Sequence, residues 1–73
     1  MDANSVLIGL SQALAHNQEQ GDEFYLHDVA ITANSVYGCA IDERIATWIL
    51  RHALRCDPDW QVDVVSGAVR RKD

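Results

Sequence analysis

No lysine or arginine precedes Arg44. Residues 1–43 carry Asp2, Glu19, Asp22, Glu23, Asp28, Asp42 and Glu43, so that stretch repels phosphate. The six basic residues, Arg44, Arg51, Arg55, Arg70, Arg71 and Lys72, all follow, beside four acids, Asp57, Asp59, Asp63 and Asp73. The chain is electrically two-ended, with a formal net charge of −5. Its summed field favours a basic protein surface as partner, and disfavours nucleic acid or an anionic membrane.

Other absences narrow the function further. No apolar run reaches the length that spans a bilayer, and Met1-Asp2-Ala3-Asn4 is acidic where a secretory signal is basic, so a cytoplasmic protein is expected. The two cysteines, Cys39 and Cys56, lack the Cys-x-x-Cys spacing of small zinc sites, and in a reducing cytosol they read as two buried thiols. His52 and Cys56 stand four apart on a helical pattern, with His27 and Cys39 as further donors. Because both lie on the stripe assigned to the interior, core groups are expected and no metal. Ser11, Ser35 and Ser66 lack a glycine-flanked elbow, and Gly9, Gly21, Gly38 and Gly67 form no phosphate loop. Asp57 and Asp59 flank Pro58 as turn carboxylates, not as an acid/base pair. A non-enzyme without cofactor is expected.

Seventy-three residues with 48% hydrophobic content make one small domain, residues 1–73, with a marginal core. Residues 4–18 have helical periodicity, with Asn4 or Ser5 as cap and Val6, Leu10, Ala13 and Leu14 as the core stripe. Phe24-Tyr25-Leu26 suits a short strand, and Asp28 can cap a second helix over residues 29–37, broken by Gly38. Asp42 caps a third helix with Glu43 in its first turn, and Asp57-Pro58-Asp59 stops it. Its expected buried face is Ile45, Ala46, Ile49, His52, Ala53 and Cys56, widened by Leu50. Residues 60–65 and 68–72 read as strands joined by Ser66-Gly67 as a hairpin, with Trp60, Val62 and Val64 on one side and Gln61, Asp63 and Val65 on the other. The expectation is an α+β fold of three helices plus a C-terminal β-hairpin, winged-helix-like in its order of elements.

That order gives DNA binding a hearing as the alternative function. Arg44, Arg51 and Arg55 line one outer face of the third helix, and Arg70-Arg71-Lys72 can decorate a wing. Against this, the helix opens on Asp42-Glu43, the wrong sign for phosphate or base edges, and an outer arginine stripe is commonly a solvated face. A second candidate surface lies on the first helix. Asn4, Leu7, Ile8, Ser11 and Ala15 share a face distinct from the core stripe. Two readings are open: the helix is sandwiched and buries both faces, or Leu7 and Ile8 anchor a partner with Asn4 and Ser11 at the rim. Glu19, Asp22 and Glu23 at the end of this helix either steer a basic partner or only keep the protein soluble.

Taken as a whole chain, opening Met-Asp-Ala-Asn-Ser-Val-Leu-Ile-Gly-Leu and closing Val-Arg-Arg-Lys-Asp, the sequence resembles the small host-takeover regulators of lytic bacteriophages that bind bacterial RNA polymerase. The resemblance implies a non-enzymatic regulator acting in the host bacterial cytoplasm. Such a protein binds the largest polymerase subunits and hinders sigma factor engagement or promoter opening. Antitermination, in which elongating polymerase passes terminators, belongs to the same implication. These proteins share no diagnostic motif, so no site residue is carried over; the partner-binding candidates remain those set by helical spacing and charge.

Overall fold

The computed structural model describes residues 3–72, which form three helices and a three-stranded antiparallel sheet. The elements run α1 (Ala3–Gln20), β1 (Glu23–Tyr25), α2 (Leu26–Ser35), α3 (Glu43–Arg55), β2 (Trp60–Val62) and β3 (Ala68–Arg71). In the sheet β3 lies between the other two, in the order β1-β3-β2. Phe24 stands opposite Val69 on one side, and Val62 opposite Val69 on the other. This is the α+β, winged-helix order of elements that the sequence implies.

Helix α1 begins before both expected caps, so Asn4 and Ser5 fall inside its first turn and the position before Ala3 lies outside the described residues. Leu10 and Ala13 are buried, with Val6 and Leu14 packed against the same core. Gly9 is buried too, and a Cβ there would run into the Cys39 sulfur, so a residue without a side chain lets α1 close on the turn after α2.

Helix α2 starts at Leu26, three residues earlier than expected. Its N-cap, Tyr25, supplies no side-chain bond, and Asp28 sits in the first turn, where its charge complements the helix dipole. The Leu26 amide instead donates to the Gly67 carbonyl at 2.9 Å, so the hairpin loop satisfies one of the orphan donors at the start of α2. Gly38 (φ +63°) and Ala40 (φ +52°) turn the chain toward α3. Asn34 holds that turn by donating to the Ile41 carbonyl at 2.8 Å and accepting from the Ile41 amide at 2.9 Å.

Asp42 caps α3, accepting from the Arg44 and Ile45 amides. The buried face matches the expected one at Ala46 and Leu50 but is turned toward Leu54. Ala46, Leu50 and Leu54 point inward, while Ile45, His52, Ala53 and Cys56 are exposed and Ile49 is partly buried. The helix is rotated by about 100°, one residue's turn, from the expected setting. Ile45 and Leu54 flank the shared positions Ala46 and Leu50 on opposite sides, and α3 packs against α2 and β2 with Leu54 inward. The hairpin also differs, because the strands end at Val62 and resume at Ala68. Asp63 and Gly67 close the loop between them: the Asp63 amide donates to the Ala68 carbonyl and the Gly67 amide to the Asp63 carbonyl, each at 2.8 Å. Val64, expected beside Trp60 and Val62, is exposed with Val65 at the loop tip. The core is completed by Trp60, tilted against Phe24 at 5.3 Å and covered by the Arg71 guanidinium at 4.4 Å.

Candidate functional site

The outer face of α1 brings together Asn4, Leu7, Ile8, Ser11, Ala15 and Glu19, all exposed. Leu7 is 49% and Ile8 59% accessible, so the helix is not sandwiched and two large aliphatics face solvent near its start. The face grades from apolar at Leu7 and Ile8, through small residues at Ser11 and Ala15, to acidic at Glu19. Beside its second half lies a shallow depression of about 230 Å³ lined by Gln12, Ala15, His16, Glu19 and Tyr37. Gln12, His16 and Tyr37 were not singled out from the sequence, since the depression exists only once the turn after α2 is folded against α1.

Asp22 and Glu23 are exposed but not free of cations. Asp22 accepts from Arg71 Nε at 2.9 Å, and Glu23 pairs with Arg70 Nε at 3.4 Å. The carboxylates that the sequence separates from every cation meet arginines in space, because β3 pairs with β1 and brings the carboxyl-terminal cations across. Glu43 likewise lies 3.3 Å from His27 Nδ1. Among the described residues Glu19 is exposed without an ion pair, so it is the candidate steering charge the fold leaves uncompensated.

A second exposed surface runs along α3. Ile45 and Trp48 are 55% and 59% accessible, and the Trp48 ring is tilted 59° against that of His52 with centroids 4.5 Å apart. Arg44, Arg51 and Arg55 form a row along one side of this ridge, at spacings of seven and four. Arg51 is half-buried and its enclosed Nε finds no acceptor among the described residues. The rotation of α3 creates this surface, which is why reading Ile45 and His52 as core concealed it.

The outer face of the sheet carries a polar hollow of about 240 Å³ lined by Glu23, Tyr25, Gln61, Asp63, Ser66, Ala68 and Arg70. Asp63 accepts from the Val65 amide at 2.8 Å and the Ser66 amide at 3.3 Å, and these bonds hold its carboxyl below the usual range. Among the described residues no three His, Cys, Asp or Glu side chains gather as metal ligands. His52 and Cys56, expected in the core, are both at the surface, while Cys39 is buried and both thiols are free. Among the described residues no helix is long and apolar enough to cross a membrane.

No family model, no curated protein sequence and no solved structure matches this chain.

Proposed function

We propose that the protein is a stoichiometric, protein-binding regulator of the phage host-takeover type, which docks on the largest subunits of bacterial RNA polymerase and inhibits transcription initiation. Sigma engagement or promoter opening is the step hindered, and antitermination is a further consequence of the same docking. The observation that carries the reading is the outer face of α1, where Leu7 and Ile8 stand exposed on a rigid helix whose opposite stripe is fully committed to the core. The net charge of −5 supports a basic target surface, and the whole-chain resemblance supports polymerase as that target.

The test uses purified bacterial core polymerase, sigma factor and promoter DNA. The wild-type protein is expected to bind polymerase at equimolar ratio and reduce promoter-dependent transcripts. Leu7→Glu and Ile8→Glu are each expected to weaken binding by about tenfold or more while unfolding with a free energy within about 0.5 kcal/mol of wild type, as surface substitutions do. A loss of cooperative unfolding in either variant, or undiminished binding, contradicts the reading.

The row of Arg44, Arg51 and Arg55 on α3 favours one second reading, a winged-helix DNA-binding regulator. It predicts duplex affinity that falls steeply with salt and disappears with Arg51→Glu and Arg55→Glu. The acidic start of α3, where the Asp42 carboxylate caps the helix at the position a recognition helix offers to DNA, weighs against it.

A further inference from the structure

The outward face of α3 is a composite surface. Ile45, Trp48 and His52 form its apolar and aromatic ridge, and Arg44, Arg51 and Arg55 flank that ridge on one side. We propose that this face docks an acidic amphipathic helix of a partner protein, whose apolar anchors lie on the Trp48 ridge and whose carboxylates meet the arginine row. The face is distinct from the outer face of α1, since α2 packs against both helices and stands between them. The inference does not depend on polymerase being the target of α1.

Three features fix the chemistry of the occupant. First, the ridge offers an exposed indole in edge-tilted contact with the His52 ring, a large apolar area on which a partner side chain can pack. Second, the cations are arginines, whose planar guanidinium pairs with a carboxylate through two parallel hydrogen bonds, and the enclosed Nε of Arg51 has no acceptor among the described residues. Third, the cations lie along one side of the ridge only, which matches a helix whose acids occupy one side of its apolar stripe. Charge complementarity therefore selects an acidic segment.

The other occupants fit less well. Nucleic acid would run its phosphates past Asp42 and Glu43 at one end of the face and Asp57 and Asp59 beyond the other, and would leave the apolar ridge without a partner. A second copy using the same face would set three arginines against three arginines. A second copy offering the outer face of α1 would bring one carboxylate, Glu19, to three arginines.

The test uses two synthetic helical peptides with identical leucine and phenylalanine anchors, one rimmed with glutamate and one with lysine, together with a duplex and a single-stranded oligonucleotide. Binding is read by calorimetry and by tryptophan emission, in which the exposed Trp48 is the responsive reporter because Trp60 is buried. The glutamate-rimmed peptide is expected to bind with a blue shift in emission, and the lysine-rimmed peptide and both oligonucleotides are expected not to bind at physiological salt. Trp48→Ala and Arg55→Glu, both at exposed positions, should each weaken the glutamate-rimmed peptide by about tenfold. Arg51→Glu/Arg55→Glu should reverse the preference and bind the lysine-rimmed peptide, whereas Leu7→Glu should leave both results unchanged. Failure of the glutamate-rimmed peptide to bind, binding indifferent to Trp48→Ala and Arg55→Glu, tighter binding of either oligonucleotide, or self-association through this face would each overturn the proposal.

Discussion

Gly9 is where a single methyl group decides how α1 meets the rest of the protein. An alanine there would gain about 1 kcal/mol of helix propensity, yet its Cβ would collide with the buried Cys39 sulfur. The collision should win, because the thiol is enclosed and the turn that carries it is tied down by the Cys39 amide bonding to the Ala33 carbonyl at 3.1 Å. Gly9→Ala is expected to destabilise by about 1–3 kcal/mol, as overpacking does. In a Cys39→Ala background the sign should reverse, since the Cβ of residue 39 lies an ordinary 3.9 Å away and the propensity gain is then unopposed. Urea unfolding of the four proteins in this double-mutant cycle measures the coupling, and additivity would show that α1 does not close on Cys39 as described.

At the scale of the element, α3 is where sequence and structure part company. Its bounds, its Asp42 cap and its proline stop follow from local chemistry that one sequence displays: a carboxylate that accepts exposed amides, and a ring that cannot continue the ladder. The edge of its buried face does not follow, because Ile45 and Leu54 flank Ala46 and Leu50 on opposite sides and only the placement of α2 and β2 decides which of the two is covered. The same reason explains Gly67 and Asn34, whose partners Leu26 and Ile41 belong to other elements and leave no periodic trace. On α1 the spacing sets Leu7 and Ile8 apart from the core stripe of Val6, Leu10, Ala13 and Leu14, so the candidate face was legible, whereas its exposure depends on what packs beside it and was not. The rotation of α3 carries a direct consequence. Leu50→Ala should cost about 2–5 kcal/mol, whereas Ile45→Ala should cost less than about 1 kcal/mol. Thermal or denaturant unfolding of the two variants decides it, and the reverse order would restore the stripe expected from the sequence.

At the scale of the whole molecule, folding rearranges the charge that the chain keeps apart. Arg70 and Arg71 return to Glu23 and Asp22, and Arg71 also covers Trp60, so these acids belong to the fold as much as to any partner. Glu19 differs, being a negative charge in the last turn of α1, where it opposes the helix dipole. Glu19→Gln should therefore raise stability by about 0.3 kcal/mol, while slowing association with a basic target and flattening the dependence of that rate on salt. Stopped-flow association and equilibrium unfolding check the two halves of this statement; unchanged rates would leave Glu19 a solubilising charge only. The central claim, that α1 docks on polymerase, is tested most directly by a photo-activated cross-linker placed at Ile8, with a control at Val65, which is 94% accessible at the hairpin tip. Mixed with purified core polymerase and irradiated, the label at position 8 is expected to join one of the two largest subunits in high yield, and unlabelled wild-type protein is expected to compete it away. A polymerase complex that forms while position 8 yields no cross-link, or no complex at micromolar concentrations, would contradict the account.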